Sequence, residues 1–104
     1  MDASVIVDRE RIAEFCRHWK IMGLALFGSV LRDDFRPDSD IDVLVAFAPH
    51  ARWTLFDLAE MQEELEGIFG HEVDLVTRRG VESSRNYLRR EAILSAAKPV
   101  HVAG

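Results

Sequence analysis

Residues 26–47, LFGSVLRDDFRPDSDIDVLVAF, decide how this chain is read. The stretch opens on the apolar run Met22–Phe27 and closes on Ile41–Phe47, both of which read as buried strands. Between them lie Gly28-Ser29 and a dense set of carboxylates ending in Asp40-Ile41-Asp42. Strand side chains alternate, so Asp40 and Asp42 share a face, about 6–7 Å apart along the chain. Two carboxylates so placed repel unless the site stays wet, one group is protonated or a cation sits between them.

Oxygen donors with nothing soft nearby select Mg²⁺, Mn²⁺ or Ca²⁺ over zinc. A calcium loop fails on inspection. Asp38-Ser39-Asp40-Ile41-Asp42 copies the start of an EF-hand, but Val43 stands where the turn needs Gly and Pro49 where a bidentate Glu is required. Mg²⁺ fits better, because it takes one or two protein carboxylates and completes its shell with waters and substrate phosphates. Asp74, in HEVDLVT, is a further carboxylate between apolar residues on an expected third strand. If that strand neighbours the second, Asp40, Asp42 and Asp74 form the three-carboxylate set used for in-line displacement at phosphorus. Gly28 then lets backbone N–H groups approach a phosphate, with the Ser29 hydroxyl as an added donor.

The rest of the chain supplies a frame. Ile12, Phe15, Cys16 and Trp19 have helical spacing, with Asp8 or Ser4 as the cap. A short helix is expected from Ser29 to about Asp33. Thr54 reads as an N-cap answered by Asp57, opening a helix to about Phe69 with Leu55, Leu58, Met61, Leu65 and Phe69 as its buried stripe. Gly70 stops it. Phe56 is expected in the core. A last helix is expected from Ser83 or Ser84 to about Ala97, with Tyr87, Leu88, Ala92, Ile93 and Ala96 on its apolar side, then a short edge strand at VHVA. The sum is an α/β fold: a small mixed sheet flanked by helices, in a single domain over residues 1–104.

Composition excludes several classes. A net charge of −5 argues against a general nucleic-acid binder. No apolar run approaches the ~20 residues of a membrane span, and MDASVIVDRE lacks the features of a secretory signal, so a cytoplasmic protein is expected. The lone Cys16 reads as a buried thiol, and His18, His50, His71 and His101 have no zinc spacing. Charge is uneven: Asp57, Glu60, Glu63, Glu64 and Glu66 form an acidic run, whereas Arg78, Arg79, Arg85, Arg89 and Arg90 form a basic one.

Gly28-Ser29, ten residues, then Asp40-Ile41-Asp42 is the pattern G-S-x(10)-D-x-D. It resembles the nucleotidyltransferase superfamily of DNA polymerase β, and more closely the minimal nucleotidyltransferases that pair with HEPN-domain partners as toxin–antitoxin systems. LFGSVLR, PDSDIDVLV, EVDLVT and YLRREAILSAAKPVHV extend the resemblance over most of the chain. It implies a polymerase β-like core in which Asp40, Asp42 and Asp74 hold metal, with two Mg²⁺ ions, and Asp74 helps activate the attacking hydroxyl. Gly28, Ser29, Arg32 and Ser39 bind the nucleotide. One departure is Asp33, which stands where the family commonly has Gly; its added negative charge either weakens the hold on the triphosphate or points into solvent. Arg36 or the Arg85/Arg89 pair are further sources of positive charge.

The resemblance also implies transfer of AMP from ATP to a hydroxyl. A catalytic core that accounts for all 104 residues leaves the acceptor to a partner, expected to be a tyrosine of a HEPN ribonuclease toxin in a hetero-oligomer, with a homodimer also open. Two rivals remain: neutralisation by binding alone, through the acidic run, and transfer to a small molecule of the aminoglycoside type.

Overall fold

The computed structural model describes residues 8–28 and 40–103. The expected helix from Ser29 to Asp33, and Arg32, Arg36 and Ser39, lie outside them. Helix α1 (Arg9–His18) begins at Asp8, whose side chain accepts from the Arg11 N–H. Lys20, with φ of 57°, makes the left-handed turn into β1 (Ile21–Phe27). After β2 (Ile41–Phe47) comes α2 (Leu55–Phe69), then β3 (Val73–Thr77), α3 (Arg78–Glu82), α4 (Tyr87–Ala96) and β4 (Lys98–Val102).

The four strands form one mixed sheet in the order β3-β2-β1-β4. β1 is antiparallel to both β2 and β4, and β2 runs parallel to β3. The short connection from β1 to β2 therefore makes an antiparallel return. Pro99 lies inside β4. Its missing N–H is tolerated because β4 is at the sheet edge.

The two sheet faces are covered differently. On one, Ile12, Phe15 and Cys16 of α1 and Met61, Leu65 and Phe69 of α2 pack on Leu24, Leu26, Ile41, Val43, Val45 and Val73. A register shift between Ile21 and Gly23 flips the alternation of β1, so Ile21 joins Leu24 and Leu26 on that face. On the other, a smaller cluster joins Phe27, Leu44, Val81 of α3 and Ile93 of α4. β2 is thus buried from both sides, as its apolar run predicts.

The Thr54/Asp57 capping box forms in full, and Gly70 ends α2 at a φ of 73°. The apolar stripe of α2 is shorter than expected. Leu55 is 82% exposed and Phe56 87%, because the first turn of α2 lies beyond the sheet it packs on. The C-terminal helix is also corrected. Asn86 caps it, and Ser83 and Ser84 belong to the end of α3 and the turn after it. Tyr87 and Leu88 are 58% and 78% exposed, leaving Ile93 as the anchor of α4. Among the described residues no helix is long and apolar enough to cross a membrane.

Candidate active site

At one end of the sheet β1 finishes while β2 and β3 begin, and the acidic residues gather there. Asp42 is paired across β1–β2 with Phe27 and across β2–β3 with Asp74. The parallel register sets Asp42 and Asp74 side by side, and alternation puts Asp40 on the same face. Ile41 and Val43, on either side of Asp42, point into the large core and fix which face the carboxylates take. Backbone contacts hold the frame: the Ile41 N–H donates to the Glu72 carbonyl at 2.8 Å, and the Val73 N–H to Glu66 Oε2 at 3.0 Å.

Gly28 closes the site from β1. Its φ is 79°, a conformation that side chains disfavour, and a Cβ there would overlap Asp42 Oδ2. The sequence placed this glycine at a phosphate cradle. What the geometry shows is that its missing side chain makes room for the Asp42 carboxylate.

The electrostatics centre on Asp42. Its pKa is pushed up, chiefly by burial, then by the Asp74 and Asp40 charges, and a hydrogen bond with Asp74 adds to the effect. The Arg89 charge opposes these. Two carboxyl groups in a hydrogen bond need a proton between them, and a hard cation can take that proton's place. Among the described residues no three His, Cys, Asp or Glu side chains cluster closely enough to hold a metal unaided. The oxygen-only pair with Asp40 alongside suits Mg²⁺, which leaves most of its shell to water and phosphate.

The structure sorts the basic run of α3 and α4. Arg78 pairs with Glu82 at 2.9 Å. Arg90 donates to the Glu82 and Ser84 carbonyls and lies 5.2 Å over the Tyr87 ring. Arg89, which sequence reasoning could only pair with Arg85, is, among the described residues, the arginine whose charge reaches Asp42. A readable signal existed: Arg89 is one turn before Ile93, the residue that anchors α4. The acidic run is largely occupied within the fold. Asp57 completes a capping box, Glu64 accepts from Trp19 Nε1 at 3.4 Å and Glu66 holds the Val73 N–H.

A four-stranded mixed sheet flanked by helices is the fold of a minimal nucleotidyltransferase. Residues 9–98 match the nucleotidyltransferase domain family, and the chain belongs to it. It is 33% identical over 70 residues to the protein adenylyltransferase MntA of Thermococcus cleftensis, covering 67% of this chain and 69% of that one. It is 35% identical over 65 residues to the provisionally named protein adenylyltransferase MJ1379 of Methanocaldococcus jannaschii, of whose length the match spans 65%. A solved structure, provisionally described as a minimal nucleotidyltransferase, is 38% identical with a TM-score of 0.67, covering 88% of this chain and 87% of its own. A toxin–antitoxin crystal structure with AMP-PNP shares the fold at a TM-score of 0.70 and 23% identity, covering 93% of this chain and 75% of its own.

Proposed function

We propose that this protein transfers AMP from ATP to a hydroxyl on a partner protein, most specifically a tyrosine of a HEPN-domain toxin that is silenced as a result. The single observation that carries the reading is the contact of Asp42 with Asp74 beside Gly28. The names of the relatives, protein adenylyltransferases, support the reaction class. Nucleotide and partner are supported by fold neighbours described as a toxin–antitoxin with AMP-PNP and as a tri-AMPylated HEPN toxin with its MNT antitoxin.

In this reading Asp42 and Asp74, with Asp40 alongside, would hold magnesium, which would supply neutralising charge at the α-phosphate and the leaving group. Asp74, on the edge strand, faces the incoming hydroxyl and accepts its proton. The hydroxyl oxygen bonds to the α-phosphorus, the bond from that phosphorus to the bridging oxygen breaks, and pyrophosphate departs with the electron pair. Gly28 and Ser29 cradle the triphosphate, with Arg32 and Ser39 as further contacts.

One observation favours a second reading, neutralisation by contact alone: the adjacent exposed Leu55 and Phe56. The engagement of Asp57, Glu64 and Glu66 inside the fold weighs against the acidic run as that contact.

The test is incubation of the protein with its candidate toxin, Mg²⁺ and labelled ATP, followed by intact mass. The expected result is a gain of AMP on a toxin tyrosine, lost with EDTA and with Asp40→Asn plus Asp42→Asn. Inhibition that survives both substitutions with no mass gain leaves contact alone. Label on an aminoglycoside without a partner assigns a small-molecule acceptor.

A further inference from the structure

Helix α4 carries the chain from the β3 edge of the sheet, where α3 follows β3, to the β4 edge. Its 10 residues make a rod of about 15 Å. Three strand spacings come to about 14 Å, so the helix is long enough to span the sheet from one edge to the other. Mid-helix, Ile93 docks on Phe27 of β1 and Leu44 of β2. Arg89 is one turn earlier on the same helix face, which places it over the β2/β3 side where Asp42 and Asp74 meet.

The other constraints agree with that placement. Arg89 lines a cavity of about 150 Å³ between α3 and α4, floored by Val76, Val81 and Ile93 and edged by Ser84 and Arg90. Val76 is the next residue along β3 on the face of Asp74. Arg90 is tied to two carbonyls and Arg78 to a carboxylate, so neither guanidinium is directed at the acidic pair. Arg89 acts on Asp42 without an ion-pair contact between them within 4 Å among the described residues. A guanidinium on the Val76 side of the sheet, not spent on an ion pair with the acidic residues, is placed to take another anion.

We infer that Arg89 is a substrate ligand: its guanidinium binds the phosphates of the nucleotide beside Asp42 and Asp74, and stabilises the charge that passes to the departing pyrophosphate. The assignment rests on the nucleotidyl-transfer reading above. It also gives the α3–α4 unit a task, since docking Ile93 on the sheet is what carries Arg89 to the site. A purely structural role, offsetting the crowded carboxylates, makes a different prediction: Arg89 would matter for stability and not for nucleotide.

The experiment uses Arg89→Ala and Arg89→Lys in the full chain, with Arg85→Ala as the control. Binding of Mg·ATP is measured by calorimetry, transfer to the toxin by kcat and KM, and folding by thermal melts. Loss of a charge-assisted phosphate contact weakens Mg·ATP binding about tenfold or more. Loss of leaving-group stabilisation lowers kcat about 100-fold. Arg89→Lys recovers part of both, Arg85→Ala changes neither, and the melting temperature of Arg89→Ala stays near wild type. If the wild type transfers AMP and Arg89→Ala retains both affinity and kcat, the assignment of Arg89 fails while the transfer reading stands. If the wild type labels nothing but binds Mg·ATP in an Arg89-dependent way, the transfer reading fails and the phosphate contact stands. If the wild type does not bind Mg·ATP, both fail.

Discussion

Asp42 and Asp74 occupy matched positions on the parallel strands β2 and β3, so two carboxyl groups meet side by side at one end of the sheet. The raised pKa of Asp42 follows first from its burial and then from the Asp74 and Asp40 charges. The folded chain therefore keeps the Asp42 proton to a higher pH than the unfolded chain, which releases it near 3.8. Below that value both states are protonated and nothing is lost. As pH rises through the native pKa, the fold must ionise a crowded acid and loses stability.

Asp42→Asn removes that cost. At pH 7 without metal it is expected to melt a few degrees above wild type, a gain of no more than about 1 kcal/mol at this half-exposed position. The gap should close when the melts are repeated near pH 3.5. A lower melting temperature at pH 7 would make Asp42 a structural partner instead of a site carboxylate. AMP transfer by the same variant is expected to vanish.

Gly28→Ala tests the cradle from the other side. The left-handed backbone alone costs a side chain about 1–2 kcal/mol, and the added methyl must also displace the Asp42 carboxylate. Thermal melts should show that loss, and transfer should fall further than the stability change explains. A variant with wild-type activity would show that Asp42 is not held at this spot in the working enzyme.

How far the sequence carried the structure can be argued from single residues. The span of β2 was legible to the residue, because an apolar run interrupted only by Asp42 and bounded by Asp40 and Pro49 admits one strand. Asp74 was legible as a candidate by its apolar flanks. Its partnership with Asp42 was not, since register between distant strands is set by the packing of α2 against both. Leu55, Phe56, Tyr87 and Leu88 misled for one shared reason. Helical periodicity shows which residues line up, but not where along its length a helix runs off the sheet. Arg89 and Arg85 looked alike in the basic run, but Asn86 caps α4 after Arg85, so of the two only Arg89 lies on the helix that Ile93 anchors.

The N-terminus of α2 offers a perturbation that leaves the site alone. Thr54 Oγ1 accepts from the Asp57 N–H at 3.2 Å, and Asp57 Oδ2 accepts from the Thr54 N–H at 2.8 Å. Thr54→Ala is expected to cost about 1 kcal/mol, read as a lower denaturant midpoint. Mg·ATP affinity should not change, because the cap belongs to the helix on the opposite sheet face. An affinity loss would reveal coupling between the faces through β2.

Cys16 reports on the seating of α1. Its side chain is 1% exposed among Ile12, Phe15 and the sheet, and burial pushes the thiol pKa from 9.0 up to about 11. Below pH 9 both states hold the proton, and the thiol contributes its full share of stability. Between pH 9 and 11 the unfolded chain ionises while the folded chain does not, so stability falls as pH rises through that window. The reactive species is the thiolate, and the fold withholds both the charge and access to it. At pH 8 in native buffer a thiol-specific reagent should therefore label Cys16 no faster than the chain opens, with the rate climbing steeply in urea. Prompt stoichiometric labelling of the folded protein would mean that α1 leaves the sheet readily. The first core would then be held by α2 alone.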